Sequence, residues 1–405
     1  MTTNDNNKVL IVGAGPGGLL LAQFLRGQGI PYEIFERDEK LDSRAQGWAV
    51  ALIACLPDMY ELLPKDIGDL EWVSVNHGNE DNDSMALYDG TTGELHWKFG
   101  GVAKGKQGYL LRASRTKMRQ LFWKNAGVVT GKEVTHYEED DAGVTIFFKD
   151  GSTARGAILV GADGARSRVR AQLLQGDNAK PEPSAYVAVC GEGELPPEIY
   201  TPLRDMATSA ILTNAPYRRC IFGQHAFIPE KDIRKFYYIL GYRADEKSAE
   251  ETNQLASASR EELFAKATEL TKDWQPILRN VIQHMGPQGM YAPPIKFQEF
   301  VPPETLPRGR VTILGDAAHT MIPFRGAGAN TAFRDAADLT RILRDSYKQG
   351  LDTPSALEEY AKVMLPRGRT MVLESRAAGQ DTKGFMRNLR DTIGPIPDTV
   401  NPTWD

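Results

Sequence analysis

The chain has 405 residues, with 48 Lys and Arg against 53 Asp and Glu, a formal net charge of -5 and three cysteines. The length allows two or three domains with cores of their own, and a slightly acidic balance without a basic run argues against nucleic acid or an anionic membrane surface as a stable partner. Cys55, Cys190 and Cys220 are odd in number and far apart, without CxxC or Cys/His metal spacing, so we expect a reduced, cytoplasmic protein with no metal centre.

The first apolar segment, KVLIVGAGPGGLLLAQFL, follows a leader without positive charge and contains four glycines and a proline. It therefore predicts a strand, a glycine-rich turn and a helix, and not a targeting or membrane segment. Residues 8–12 form the strand, Leu19 to Gly29 has helical apolar spacing, and PYEIFER forms the next short strand. The start of the chain is thus a predicted βαβ unit.

The turn of this unit, GAGPGG from Gly13 to Gly18, fits the dinucleotide-binding fingerprint. Its glycines permit a tight turn, close approach of a pyrophosphate to the backbone, and packing of the helix on the sheet. Glu36 stands at the end of the second strand, where a carboxylate can accept bonds from ribose hydroxyls. The sequence therefore predicts a nucleotide site here.

Two further predicted strands end at an acidic residue. The segment TIFFKDGSTARGAILVGADG, residues 145–164, indicates a hairpin through Asp150-Gly151 and then a buried strand that ends at Asp163. VTILGD, residues 311–316, indicates a strand that ends at Asp316. Because the carboxyl ends of parallel strands lie at one edge of a sheet, we expect both acids to face the same extended ligand as the fingerprint.

The residues between these motifs have a different character. Residues 76–104 are polar with scattered aromatics, and residues 181–299 hold alternating runs such as RKFYYILGYRA and a charged helical segment from Ser257 to Leu270. They predict a second, partly antiparallel domain inserted into the first. Asn330 to Gln349 is predicted to be a helix packed on the sheet, and the tail after Gln380 is predicted to be an irregular, proline-rich wrap. The expected boundaries are 1–75, 105–180 and 300–370 for the nucleotide-binding domain, 76–104 and 181–299 for the inserted substrate domain, and 371–405 for a C-terminal helix and tail.

These motifs resemble those of the class A flavoprotein monooxygenases of the para-hydroxybenzoate hydroxylase type. The matching segments, in the order of that family, are Gly13 to Gly18 with Glu36-Arg37, DGARSRVR from Asp163 to Arg170, and GDAAH from Gly315 to His319 followed by Pro323 and GAGAN from Gly326 to Asn330. Each is a weak signal alone, whereas the ordered trio is highly specific. The chain also looks like the subgroup of fungal and tetracycline-inactivating enzymes that act on bulky polycyclic molecules.

The resemblance implies an α/β fold, with a Rossmann-like FAD-binding domain, an inserted mixed or antiparallel sheet and C-terminal helices. It implies that Asp316 bonds the ribityl hydroxyls of FAD, that the 326–330 loop faces the flavin ring, that Arg44 lies near the pyrophosphate and that Arg112 lies on the ribityl side. Ser167, Arg170 and His319 are expected to support the site from behind. The implied cofactor-binding residues are Gly13, Gly15, Pro16, Gly17, Gly18, Glu36, Arg37, Arg44, Gly47, Arg112, Asp163, Gly315, Asp316, Pro323, Gly326, Ala327, Gly328, Ala329 and Asn330.

The implied reaction uses NADPH or NADH as a transient co-substrate and O2, which forms a flavin C4a-hydroperoxide that hydroxylates or epoxidises an electron-rich aromatic or polycyclic molecule. The catalytic candidates are Pro323, beside the reactive flavin carbon, and Arg219, His225 and Tyr238 in the inserted sheet. His225 is the candidate base for a phenol or indole N-H. Tyr237 and Tyr238 point to opposite faces of a strand, so at most one of them lines the pocket.

Three other functions remain open from the sequence. A flavin-dependent halogenase would share the fold, but none of the six tryptophans lies in a WxWxIP stretch. An isoprenoid double-bond reductase would be distinguished by the absence of coupled oxygen uptake. A nonenzymatic flavin-binding protein would bind FAD without oxidising a nicotinamide. Either a monomer or a homodimer is compatible with the sequence.

Overall fold

The structure, a computed structural model, describes residues 8–41, 47–79, 81–176, 179–243, 256–349 and 352–379. Its strands are β1 Val9–Val12, β2 Tyr32–Phe35, β3 Ala49–Leu52, β4 Ser84–Asp89, β5 Leu95–Gly100, β6 Leu111–Ser114, β7 Val128–Val129, β8 Val134–Asp140, β9 Gly143–Phe148, β10 Thr153–Gly156, β11 Ile158–Gly161, β12 Glu182–Leu195, β13 Ala210–Ala215, β14 Arg218–Ile228, β15 Ile233–Arg243, β16 Ile295–Glu299 and β17 Val311–Ile313. Its helices are α1 Pro16–Gly27, α2 Leu56–Leu62, α3 Arg115–Trp123, α4 Arg168–Leu174, α5 Pro197–Met206, α6 Arg260–Leu270, α7 Pro276–Met285, α8 Asp316–His319, α9 Ala327–Gln349 and α10 Thr353–Ala378.

A parallel sheet with the order β17-β11-β1-β2-β7 forms the centre of the first domain. Strands β1 and β11 are apolar and buried along their whole length, as expected for parallel strands covered on both faces. Helix α1 packs against α3 and α9, and α9 packs against α10. The strand-turn-helix predicted at the start of the chain is confirmed, as is the strand before Gly315.

Two small antiparallel sheets flank this domain. Strands β8, β9 and β10 form one of them, in which β9 and β10 are the hairpin predicted around Asp150-Gly151. Strands β3 and β6 form the other, and Arg112 on β6 pairs with Ala51 on β3. Because β3 and β6 also lie against β14, they connect the first domain with the second sheet.

The second sheet has seven strands in the order β16-β12-β15-β14-β13-β4-β5, and all its pairings are antiparallel except that of β13 with β4. Its outer face packs on α5, α6 and α7 around Phe222, Tyr238 and Trp274. Its inner face contributes Leu87 and Trp97 to a separate cluster with Ile322 and Phe324, which follow β17 in the chain. The inner face therefore lies against the first domain, and the predicted α/β fold with an inserted mixed sheet is confirmed.

Local signals explain the ends of two predicted helices. Helix α6 begins after Ser259, whose hydroxyl accepts a bond from Glu262 N while the Glu262 carboxylate accepts from Ser259 N, a reciprocal capping box. Helix α9 begins at Ala327, directly after Gly326 with φ of 62°. The tail predicted after Gln380 lies outside the described residues, and none of the described helices is long and apolar enough to cross a membrane. The exact domain boundaries remain predictions.

Candidate active site

Four parallel strands end at the same level. Val12 is paired with both Gly161 and Phe35, and Gly161 is paired with Ile313. Backbone bonds continue this alignment past the strands, since Gly13 N donates to Phe35 O at 2.8 Å. The edge of the sheet therefore brings together the fingerprint loop, Glu36, Asp163 and Asp316, each of which follows one of these strands.

The fingerprint glycines serve two different purposes. Gly13 has φ of 104° and a Cβ there would lie 2.5 Å from Ala162 O, while a Cβ at Gly18 would lie 2.0 Å from Gly13 O. At Gly17 it would lie 3.0 Å from the Leu314 side chain. Protein packing therefore requires glycine at positions 13 and 18, and at position 17 it permits close contact with Leu314.

Gly15 differs, because a Cβ there would have no described heavy atom within 4 Å and its φ is -70°. It stands immediately before Pro16, the first residue of α1. The space at this helix N-terminus is open, with backbone N-H groups and the positive end of the helix dipole directed into it. Such a cradle suits a pyrophosphate.

Glu36 fixes the loop on its other side. Its carboxylate is buried and accepts bonds from Ala14 N at 2.8 Å and Asp38 N at 3.0 Å. Arg37 is exposed, and Arg44 lies outside the described residues. Glu36 thus joins the fingerprint to the end of β2 and keeps oxygen lone pairs available for a further donor.

The carboxylate of Asp163 is used within its own loop. Ser167 Oγ donates to it at 2.5 Å and Arg168 N at 2.7 Å. Burial raises the pKa of Asp163, against the lowering effect of these bonds. Ser167 Oγ also accepts from Arg170 N at 2.9 Å, which caps α4. The contact of Asp163 with FAD remains a prediction. In the described structure the Asp163 carboxylate stabilises its own loop.

Asp316 is held at the sheet edge by a buried network. Gly315, with φ of 59°, donates its N-H to Asp335 Oδ2 at 3.0 Å, and the same carboxylate oxygen lies 2.6 Å from His319 Nε2. His319 and Asp335 are fully buried, and Asp335 Oδ1 accepts from Arg367 at 3.0 Å. The side chain of Asp316 itself is exposed. His319 therefore contacts Asp335, whose carboxylate holds the backbone of the loop that carries Asp316.

Arg115 is a site residue that the sequence reasoning missed. It begins α3, its N-H donates to Trp48 O at 2.9 Å, and a Cβ at Gly47 would lie 3.4 Å from its guanidinium. Its Nε has no hydrogen-bond partner in the described chain. Burial lowers its pKa, while the charge of Asp316 opposes that shift. An arginine within electrostatic range of an exposed carboxylate, with an unused N-H donor, suits the phosphate or polyol part of a dinucleotide.

Arg112 has partners within the protein. It is buried on β6, its N-H donates to Asp83 at 2.9 Å, and its guanidinium donates to the hydroxyl of Tyr237. This contact joins the first domain to the inner face of the second sheet. The ribityl role inferred for Arg112 remains a prediction.

The loop from Pro323 to Asn330 presents backbone to the cleft. Pro323 and Gly326 are exposed, Ala327 is buried, and Gly328 and Ala329 are partly exposed at the start of α9. Asn330 binds across the cleft, because its Nδ2 donates to Ala51 O at 2.7 Å and its Oδ1 accepts from Ile53 N at 3.2 Å. Arg325 is turned away from this surface, into a buried ion pair with Glu374.

Three side chains share the inner face of the second sheet. Tyr237 pairs with Glu192 on β12 and with Gly223 on β14. Arg219 pairs with Gly241, and both lie four residues along their strands from the Gly223–Tyr237 pair, so they share its face. The ring of His225 lies 6.1 Å from that of Tyr237, and burial lowers its pKa. Arg219, His225 and Tyr237 therefore lie on one face of the second sheet, and their contact with a substrate remains a prediction.

Tyr238 lies on the opposite face. It is fully buried with Phe222 and Trp274, its hydroxyl is 2.9 Å from Met290 Sδ, and burial raises its pKa. The choice of Tyr238 over Tyr237 for the pocket needs correction, since strand alternation directs Tyr237 towards the first domain. Beside Tyr237 lies a cavity of about 290 Å³ whose lining includes Glu192, Glu194, His225, Lys235, Met290 and Tyr291.

The chain matches the FAD-binding-domain family over residues 6–52 and 119–375. It is 33% identical over 380 residues to the FAD-dependent monooxygenase thnD of Trichoderma harzianum, covering 91% of this chain and 92% of that protein. It is 28% identical to the FAD-dependent monooxygenase cctM of Talaromyces islandicus, covering 92% and 91%. The solved structure of Klebsiella pneumoniae HpxO complexed with FAD and uric acid has the same fold, with a TM-score of 0.72, 24% identity and coverage of 97% and 94%.

The open cradle at Gly15, the exposed carboxylate of Asp316 and the spare donor of Arg115 fit an extended dinucleotide that has a pyrophosphate and a polyol. The chain belongs to the family of proteins with this FAD-binding domain. Within that family it is an FAD-dependent monooxygenase, and FAD is its cofactor.

Proposed function

We propose that the protein uses NADPH or NADH and O2 to hydroxylate or epoxidise an electron-rich aromatic or polycyclic small molecule. The observation that carries the proposal is the position of the inner face of the second sheet, which lies against the strand ends that would hold FAD. Leu87 and Trp97 on this face pack with Ile322 and Phe324 on the segment that follows Asp316. This packing brings the second sheet close to the segment that would face the flavin, so a substrate bound on the inner face would lie near the cofactor loop.

When bound, FAD supplies the redox chemistry, in which the nicotinamide provides two electrons and O2 provides the transferred oxygen atom. The residues of this chain have the tasks of orienting both molecules and excluding water. The positive end of α9 and the exposed backbone of Gly326 would stabilise negative charge on the cofactor ring. Pro323, exposed at the same loop, would shape the surface on which the substrate rests.

His225 is the proposed base. Burial lowers its pKa, with Glu192 opposing and Lys235 adding to that shift, so the imidazole is neutral near pH 7. A neutral ring nitrogen can accept the proton of a substrate phenol O-H or indole N-H, and the resulting anion is richer in electrons at the carbon that takes the oxygen. The step leaves the proton on the imidazole and the negative charge on the substrate. Arg219, on the same face, would favour that charge.

The test uses purified, FAD-loaded protein with a panel of phenols, indoles and polycyclic aromatics. We expect at least one compound to stimulate NADPH or NADH oxidation and oxygen uptake together, with one labelled oxygen atom in the product. Reduction of the substrate without oxygen uptake would indicate a double-bond reductase instead, and halide-dependent product would indicate a halogenase. No nicotinamide oxidation with any compound would overturn the proposal.

His225→Ala separates the base from a packing residue. We expect the variant to lose product formation while cofactor reduction by the nicotinamide stays close to that of the parent protein. Equal loss of both steps would remove His225 from the mechanism. His284→Ala is the matched control, because His284 is an exposed histidine on α7.

A further inference from the structure

The indole of Trp48 fills a slot built by the second sheet. Its ring stacks on Tyr237, with centroids 4.8 Å apart and an interplanar angle of 5°, and meets the ring of Tyr291 edge-on at 5.4 Å. Its Nε1 donates to Glu192 Oε2 at 2.5 Å. Trp48 belongs to the first domain. Glu192 and Tyr237 lie on strands β12 and β15 of the second sheet, and Tyr291 precedes β16.

The walls of the slot hold their positions without Trp48. Glu192 and Tyr237 are directly paired on neighbouring strands. The hydroxyl of Tyr237 is held by Arg112, and Tyr291 N donates to Cys190 O at 2.9 Å. The slot is therefore a preformed aromatic surface with one carboxylate acceptor at its edge.

The side chain of Trp48 is partly exposed in spite of its two ring contacts, and Gly47 before it is exposed with φ of 84°. The backbone of Trp48 is held, since its carbonyl oxygen accepts from Arg115 N at 2.9 Å. The indole has one polar atom, and that atom is bonded to Glu192. Displacing the indole by a ligand of similar shape would thus cost one stacking contact, one edge contact and one hydrogen bond, all of which the ligand can replace.

We propose that this slot binds the planar ring of the substrate in place of the Trp48 indole, and that Glu192 selects rings that carry an O-H or N-H donor. The inference rests on the proposed monooxygenase function and specifies its substrate class. A phenolic or indolic ring would stack on Tyr237 and donate to Glu192 as Trp48 does, and this donor is a different group from the one whose proton His225 takes. The cavity of about 290 Å³ that Glu192, His225 and Tyr291 line would take the rest of a larger molecule.

The negative charge of Glu192 makes the site more selective for ligands with a neutral donor. A carboxylate acceptor forms a stronger bond with a neutral donor than an amide would, and it repels an aromatic carboxylate at the same position. Hydrogen bonds to charged groups contribute roughly 1.5–3 kcal/mol, which corresponds to about 10-fold to 100-fold in affinity. The predicted ligands are therefore neutral hydroxylated or N-H-bearing aromatics at this end of the molecule.

The experiment compares two naphthalenes of equal ring size on FAD-loaded protein by equilibrium dialysis, 2-naphthol with a donor and 2-methoxynaphthalene without one. For Glu192→Ala we expect 2-naphthol to lose its preference of about 10-fold over 2-methoxynaphthalene, because neither 2-naphthol nor the competing Trp48 indole can then bond to Glu192. Glu194→Ala is the matched control and should keep this preference, because Glu194 lines the same cavity on the same strand but pairs with Lys235 at 3.5 Å. Retention of the preference in Glu192→Ala would overturn the role of Glu192.

Trp48→Ala tests the occupancy of the slot. If Trp48 is displaced by the ligand, both naphthalenes should bind more tightly to this variant, by about 10-fold for the loss of one competing hydrogen bond. Weaker binding would mean that Trp48 is a wall of the site and not its occupant, and would overturn the proposal. Glu192→Gln, which keeps an oxygen acceptor, serves if Glu192→Ala does not retain FAD, and we expect it to lose part of the preference for 2-naphthol over 2-methoxynaphthalene.

These measurements need no turnover, so they can fail separately from the proposed function. If the ligands bind as expected but no nicotinamide is oxidised, the proposed binding slot is supported and the monooxygenation of these aromatics is rejected. If a compound is turned over but its binding does not depend on Glu192 or Trp48, the proposed reaction is supported and the binding slot is rejected.

Discussion

Arg170 Nη1 donates a hydrogen bond to the carbonyl oxygen of Ala317 at 2.9 Å, and this buried contact ties the segment after β11 to the helix after β17. The same guanidinium donates to Ala165 O at 2.5 Å and, through Nε, to Ala179 O at 2.9 Å. It also lies 4.4 Å from the ring of Phe300. One arginine therefore fixes the relative position of two segments that carry Asp163 and Asp316.

Replacing Arg170 by alanine should destabilise the protein and weaken FAD binding together. The change leaves several buried carbonyl groups without donors, at a cost of about 1–3 kcal/mol each, so we expect a loss of roughly 3 kcal/mol or more in the free energy of unfolding. Denaturant unfolding of the FAD-free protein and FAD titration measure the two effects. Arg168→Ala is the control, since its pair with Glu133 is exposed and contributes less than about 1 kcal/mol. Similar results for both variants would show that Arg170 does not hold the two segments.

Gly15 and Gly18 offer a test of the cradle that separates folding from ligand binding. Gly15→Ala adds a methyl group to open space at an ordinary φ, so the free energy of unfolding without FAD should change by less than about 1 kcal/mol. FAD affinity should nevertheless fall, because the backbone there can no longer approach the pyrophosphate closely.

Gly18→Ala should instead destabilise the protein even without FAD, because the new Cβ would lie 2.0 Å from Gly13 O. Thermal unfolding with and without FAD measures both variants. If Gly15→Ala binds FAD as the parent does, the pyrophosphate does not approach this position.

Arg115 should contribute to FAD affinity and not to the free energy of unfolding. Its Nε has no described partner and burial disfavours its charge, so Arg115→Met should leave the unfolding free energy unchanged or slightly higher. FAD affinity should fall by about 10-fold or more, as for the loss of a charge-assisted bond. Lys117→Met, on the same helix with its ammonium over Trp72, is the control. A marked loss of stability in Arg115→Met without loss of FAD affinity would make Arg115 a structural residue.

The sequence predicted the FAD edge well because its signals are local. The glycines follow an apolar strand and precede a helix, and parallel strands of similar length end at one edge, so Gly13, Asp163 and Asp316 were placed together without tertiary information. In contrast, β15 is buried on both faces, since residues 236–238 and 240–242 are buried in succession. Alternation could therefore state that Tyr237 and Tyr238 differ in direction, but not which of them faces the cleft.

Trp48 and Arg115 show a second limit. Neither has a motif that separates it from an ordinary aromatic or basic residue, and each is brought to the site by a contact distant in sequence, with Glu192 for Trp48 and with Trp48 O for Arg115 N. Of the two arginines in LLRASR, the sequence indicated Arg112, which lies on β6 and contacts Tyr237. Arg115 begins α3, and its place at the site becomes evident only from the tertiary structure.

The His319–Asp335 pair predicts how stability depends on pH. Burial of His319 opposes its positive charge, but Asp335, with Asp316 adding to its effect, raises the pKa of His319 above its ordinary value. Burial likewise opposes the charge of Asp335, yet His319 and Arg367 lower its pKa. Since a raised histidine pKa stabilises the folded state below the ordinary value near 6.5, that contribution is lost as pH rises through the higher folded value. The contribution of Asp335 is lost only as the pH falls below about 3.8.

His319→Gln should therefore cost most at mildly acidic pH. Removing one partner of a buried pair costs roughly 3 kcal/mol at pH 6. The difference from the parent protein should be smaller at pH 9, because the contribution of the raised His319 pKa is lost as the imidazole gives up its proton. Denaturant unfolding of the FAD-free protein at both pH values measures this difference, with the exposed His284→Gln as the control. A cost that is the same at both pH values would mean that His319 does not change its protonation between them, so that the pair does not set the pH dependence of stability.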